Sequence, residues 1–330
     1  MPRIIRLPDT LATWPYPRRI NPFYAALKIE SSAWLESFNA FSLKAQKAFN
    51  RCDFNLLASL AYPTAPRHHL RTGMDLMNLF FVFDEYTDQG TAEDVRDLAD
   101  IVMNALHYPA MPRPRGENIV GEIMRQFWER AKMTATPSAA HRFVETFALY
   151  TNSVVEQALD REHSVIRTVD AYLSIRRDTI GAKPSFALLE FDMNLPTDVI
   201  EHPTMVSLIN TTIDLLILGN DLCSYNVEQA RGDDGHNIIT VVMVQFKLDL
   251  DAVLDWISQF HDSLVAQFLM HARDIPSWGP VLDPQVGLYI DGLGNWVRAN
   301  DCWSFESERY FGKAGLKIQK HRCLTLLDKI

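Results

Sequence analysis

MDLMNLFFVFDEYTD, residues 74–88, changes character along its length. Its first ten residues, 74–83, are apolar on more than one helical face, and its end carries Asp84, Glu85 and Asp88. A helix that is hydrophobic nearly all round is surrounded by other helices. The stretch therefore predicts an all-α bundle, whose middle can be a helix-lined cavity as well as a packed core, with carboxylates where the apolar surface stops. Asp84 and Asp88 are four residues apart and share a face, whereas Glu85 lies roughly 100° round the helix. Phe80 and Phe81 sit one turn before Asp84. Two hard oxygen ligands on one face suit Mg²⁺, which shares its remaining positions with water and substrate phosphate. A solvated acidic helix end would also account for the carboxylates, so the remaining segments have to decide.

The rest of the 330 residues carries the same helical signature. Apolar residues recur at three- and four-residue steps over 31–50, 73–88, 92–107, 117–134, 138–162, 168–191, 204–229 and 250–272. Strand signals are poor, and no repeat or Ser/Gly linker divides the chain, which predicts one domain over 1–330. Pro2, Pro8, Pro15, Pro17 and Pro22 predict an extended arm over residues 1–25. A formal charge of −9 argues against a nucleic-acid partner, because phosphate backbones are held by clustered Lys and Arg. No uninterrupted apolar run reaches the roughly 20 residues of a membrane span. The first residues lack the apolar stretch of a secretory signal. The four cysteines are scattered without CxxC spacing, and the ten histidines form no zinc spacing. These features predict a soluble cytoplasmic protein without stable membrane insertion and leave open whether it is a monomer or homodimer.

Three further segments complement the acidic helix end. In GNDLCSYNVEQARGDDGHN (219–237), Asn220, Ser224 and Glu228 step by four and then four, forming a narrow stripe behind the apolar IDLLILG. An amide oxygen, a hydroxyl and a carboxylate make a second oxygen-only ligand set, and a polar stripe prolonging an apolar face is costly to bury unless something occupies it. SIRRDTIGAKPSF (174–186) places Arg176 and Arg177 ahead of Gly181 and Pro184, where a helix should break. NDCWSFESERYFGK (300–313) offers Arg309 and Tyr310, with Trp303 six residues earlier. Arginine and a phenol grip phosphate oxygens through charge-assisted hydrogen bonds. Each segment has an ordinary explanation as a helix end or a surface pair. Together they compose a site for a magnesium–diphosphate group attached to an apolar chain.

As a set these motifs resemble the class I terpene synthases, and more closely the fungal sesquiterpene synthases. DEYTD (84–88) resembles the family's aspartate-rich motif, and NDLCSYNVE (220–228) its second metal motif. Arg177 resembles the diphosphate-sensing arginine of the broken helix, with Arg176 the competing choice, and Arg309–Tyr310 the terminal Arg-Tyr pair. The resemblance implies an α-helical bundle around a central apolar cavity, closed over three Mg²⁺ ions and the diphosphate of farnesyl diphosphate. It implies Asp84, Asp88, Asn220, Ser224 and Glu228 as metal ligands, Arg177, Arg309 and Tyr310 on the diphosphate, and Phe80, Phe81, Gly181 and Trp303 at the cavity. Relatives often carry a lysine just before the motif glutamate; here that residue is Val227, and Arg231 one turn on is the candidate substitute. CDFNLLASLAYP (52–63) and DGLGNWVRANDCWSFESERYFG (291–312) are most similar to the protoilludene-type branch, which implies C1–C11 closure to a humulyl cation. A cadinane-type or other sesquiterpene is the neighbouring alternative. A chain-lengthening prenyltransferase would carry a second aspartate-rich motif, and a di-iron bundle paired Glu-x-x-His motifs, where this chain has only Asp160-x-x-His163. A non-catalytic helical scaffold would release no diphosphate from any prenyl substrate.

Overall fold

Helices in this chain begin where a short polar side chain can satisfy the first free N–H groups. The computed structural model describes residues 3–88 and 90–329; Pro2 lies outside them. Strand β1 (Ile4–Arg6) is followed by α1 (Tyr24–Glu36), α2 (Leu43–Cys52), α3 (Phe54–Ala61) and α4 (Arg67–Thr87). Then come α5 (Ala92–His107), α6 (Ile119–Ala131), α7 (Pro137–Glu162), α8 (Val169–Thr179), α9 (Ala182–Ala187) and α10 (Thr197–Ile200). The chain continues through α11 (Pro203–Arg231), α12 (Ile238–Phe246), α13 (Leu250–Arg273), α14 (Asp283–Glu306), α15 (Gly315–His321) and β2 (Cys323–Thr325). Ser42, Thr136, Thr168 and Asp249 cap α2, α7, α8 and α13 with their side-chain oxygens. Thr91 and Asp94 close a reciprocal capping box at the start of α5.

The expected segment 31–50 is in fact two helices. The chain turns at Asn39, which adopts a positive φ of 52°, before Ser42 starts α2. The expected break after Arg177 falls at Gly181, whose φ of +70° separates α8 from α9. Helices α3, α12 and α14 went unread in the sequence. Gly292 and Gly294 look like interruptions of α14, yet both lie within it. A Cβ on Gly294 would stand 2.3 Å from the Tyr16 ring, and one on Gly292 2.7 Å from Leu189. They are contact points, where neighbours press against the helix backbone.

Helix α11 is long and apolar enough by length and composition to cross a bilayer, although polar residues interrupt it. It is a core helix here, with 67% of its most apolar 18-residue window buried among its neighbours. Buried apolar residues from Ile5 to Leu324 form one connected core, with a small satellite between α5 and α7.

The proline-rich arm is only partly extended. β1 pairs antiparallel with β2, Ile5 opposite Leu324, a short ribbon that the weak strand signals did not announce. The arm then crosses α13 and α14: Trp14 packs on Phe268 at 4.9 Å and donates from Nε1 to the Gly294 carbonyl at 3.0 Å. The Arg298 guanidinium donates to the carbonyls of Tyr16 (2.7 Å), Leu11 (3.1 Å) and Trp14 (3.1 Å). Replacing Arg298 with Ala leaves three carbonyls without their donor and should lower stability by about 2–4 kcal/mol. Urea unfolding measures that loss, and faster tryptic cleavage at Arg18 and Arg19 reports the freed arm.

Candidate active site

Helices α4 and α11 change from apolar to polar along the wall of one cavity of about 580 Å³, within the usual range for small-molecule sites. On α4 the lining passes from Met77, Phe80 and Phe81 to Asp84 and Asp88; on α11 it passes from Leu216 to Asn220, Ser224 and Glu228. Trp296 and Trp303 of α14 complete the aromatic part. Arg309 and Tyr310, adjacent in sequence, tie the two polar walls together. Arg309 lies 3.7 Å from Asp84 and 5.4 Å above the Phe81 ring, and the Tyr310 hydroxyl accepts from Asn220 Nδ2 at 2.8 Å. Glu85, as its helical angle predicts, does not line the cavity; it meets Arg309 from outside at 3.3 Å.

The two arginines ahead of Gly181 part company. Arg176 lines the cavity, donates to Asn220 Oδ1 at 2.9 Å and lies 3.5 Å from Asp221. Arg177, favoured from the sequence, turns about 100° away and makes a two-pronged pair with Asp214 at 2.8 and 2.7 Å. Of the two, Arg176 is therefore the one that faces the cavity, where the sequence favoured Arg177. The missed signal was Asp214, an acid buried in the apolar IDLLILG stretch of α11 that needs a cation beside it.

Gly181 holds the cavity wall by having no side chain. Its backbone takes a left-handed φ, and a Cβ there would come within 3.2 Å of the Phe80 ring. Phe80 in turn stacks on Phe147 at 5.6 Å and meets the Tyr150 ring edge-on at 4.9 Å.

Crowding raises the acids. Asp84 is 44% exposed, but to the cavity; the protein on its other sides desolvates its carboxyl and pushes it up. Desolvation, then the charge of Asp84, pushes Asp88 up to about 7. Glu228 is also pushed up to about 7, by desolvation and then by Asp221. All five candidate ligands on α4 and α11 offer oxygen, which fits a hard divalent cation and not a thiolate-seeking one. A cation would also relieve the crowded carboxylates. At Asn220 it would have to displace the Arg176 guanidinium from Oδ1.

Several contributors were not read from the sequence. Arg161 of α7 lines the cavity and donates to the carbonyls of Thr87 (3.1 Å) and Gly90 (2.8 Å) at the end of α4. Asn237 joins α12 to the Ser224–Glu228 stripe. Asp160 also lines the cavity and pairs with Arg167 at 2.5 Å, not with His163. Outside the cavity, His68, His69 and Asp192 bring ligand atoms within 4.8 Å of one another, a grouping the histidine spacing did not predict.

Residues 75–267 match the model of terpene synthase family 2, C-terminal metal binding. The chain is 56% identical over its full length to a Delta(6)-protoilludene synthase of Armillaria gallica, covering 96% of that protein. It is 58% identical over 98% of its length to one of Stereum hirsutum, covering 88% of it, and 52% identical over its full length to sesquiterpene synthase 14 of Postia placenta, covering 94%. Among solved structures, a variant of cucumene synthase superposes with a TM-score of 0.80 at 21% identity, over 89% of this chain and 99% of that one. The linalool/nerolidol synthase of Streptomyces clavuligerus superposes with a TM-score of 0.79 at 20% identity, over 88% and 99%. The chain belongs to the terpene synthase family, with the family's class I α-helical fold and divalent-metal domain. Within it, the chain is a sesquiterpene cyclase, a lyase acting on an isoprenoid diphosphate.

The raised Glu228 carboxyl predicts a stability change of definite sign. A carboxyl whose folded value lies above its unfolded value of about 4.3 stabilises the protein fully only below that value. The contribution is lost as pH rises through about 7. In metal-free buffer, Glu228→Gln should therefore gain roughly 1–2 kcal/mol over the wild type at pH 8, with the gain shrinking toward pH 4.5. Thermal melts of both proteins across that range read the difference.

Proposed function

We propose that the protein ionises farnesyl diphosphate with three Mg²⁺ ions and cyclises the cation to Delta(6)-protoilludene. The observation that carries this reading is the convergence of two oxygen-ligand helices, Arg176, Arg309 and Tyr310 on one aromatic-lined cavity. The full-length similarity to enzymes named for that product supports the choice of product. Asp84, Asp88, Asn220, Ser224 and Glu228 would hold the metal, which supplies positive charge to the departing diphosphate. Arg176 and Arg309 stabilise the same developing charge, and the Tyr310 hydroxyl donates a hydrogen bond to it. Arg231, lining the mouth beside Val227, stands in for the missing lysine.

Departure leaves an allyl cation among Phe80, Phe81, Trp296 and Trp303. Their ring faces attract positive carbon without offering a lone pair that would trap it. The walls hold C11 against C1, so that the distal double bond attacks and closes the humulyl ring. Water would end the cascade as an alcohol, and the apolar lining keeps it out. Further closure and loss of a proton give the hydrocarbon.

Purified protein with farnesyl diphosphate should yield a magnesium-dependent sesquiterpene whose retention time and mass spectrum match Delta(6)-protoilludene. A cadinane or another skeleton would replace the product assignment, and no hydrocarbon from any prenyl diphosphate would favour a scaffold. Arg176→Ala should cut turnover about 10²–10³-fold, the cost of removing one preorganised donor to developing charge. Arg177→Ala should keep most of its turnover while melting at lower temperature, because it leaves Asp214 buried and unpaired.

A further inference from the structure

Asn237 lies at the junction of α11 and α12 and is wholly buried. Its side chain faces two ways. Oδ1 accepts the Ile239 N–H at 3.0 Å and caps α12. Nδ2 points back at α11, 2.8 Å from Glu228 Oε2, 3.0 Å from the Asp221 carbonyl and 3.3 Å from Ser224 Oγ. Capping explains only the first half, since Ser, Thr and Asp cap equally well. Among these residues only asparagine adds an amide donor on the opposite side, and it is aimed at two members of the oxygen stripe.

We infer that Asn237 is a positioning residue for the metal site, its amide fixing Glu228 and Ser224 so that their free oxygens face the cavity. This rests on the reading of Ser224 and Glu228 as metal ligands. The amide holds Glu228 by Oε2 and leaves Oε1 for the ion. It also occupies one lone pair of Ser224 and leaves the other. The α12 terminus that carries it is braced separately, because the Ile238 N–H donates to Asp221 Oδ2 at 2.8 Å. A ligand carboxylate held by an outer partner loses no rotamer freedom when the ion arrives, and removing such partners typically weakens metal affinity 10–100-fold.

The test uses the full chain carrying Asn237→Asp, which keeps the cap and replaces the donor with an acceptor. Asn237→Ser, neutral and still able to cap, serves if the Asp variant does not fold. Mn²⁺ binding is titrated by electron paramagnetic resonance with inorganic pyrophosphate present, and the Mg²⁺ half-saturation of turnover is measured alongside. Both constants should rise about 10–100-fold, with kcat at saturating Mg²⁺ within a few-fold of wild type. A folded variant with wild-type metal affinity overturns the inference. Glu228→Gln separates the two levels. If it leaves the Mg²⁺ requirement unchanged, the ligand reading fails and the inference with it. If it raises the requirement while the Asn237 variants do not, the inference alone fails.

Discussion

Acids at the mouth of an apolar chamber need compensating groups, and most of the site's architecture follows from that constraint. Burial favours the protonated form of each carboxyl, and neighbouring acids add to the effect. The fold answers with partners for most of them: Arg309 beside Asp84, Asn237 on Glu228, and Tyr172, Ile238 N–H and Arg176 around Asp221, while Arg176 and Tyr310 hold the Asn220 amide between them. These partners come from α8, the α12 terminus and the segment after α14, so the acids of α4 and α11 draw the rest of the bundle round them. Without metal, the positive charge of the mouth is the protein's own.

Much of this was legible in the sequence because helical spacing is a strong local code. Asp84 with Asp88, and Asn220 with Ser224 and Glu228, state their shared faces by counting alone, and Gly181 marks its own break. What spacing leaves open is which way a helix faces. Arg176 and Arg177 have equal local claims, and only the position of Asp214 on another helix turns the second one away. Asn237 was invisible for the same reason, since its importance lies in contacts across a turn of the chain.

The unread helices show a different limit. Helix α14 carries Gly292 and Gly294 where a propensity reading expects interruption, because glycine weakens an isolated helix. Packing reverses that penalty: Tyr16 and Leu189 occupy the space a side chain would need. The same helix supplies Trp296 and Trp303 to the cavity and receives the arm on its other side, so its glycines reflect contacts on both faces.

The ribbon between β1 and β2 has a consequence in time. Ile4 pairs with Thr325, and the arm's other partners, Phe268, Gly294 and Arg298, also lie late in the chain. During synthesis at about 5–20 residues per second, the arm waits on the order of 10–60 s for these partners to be made. The cavity walls α4 and α7 are complete well before then. The arm leaves the ribosome ahead of the cavity walls and is among the last parts to take its place.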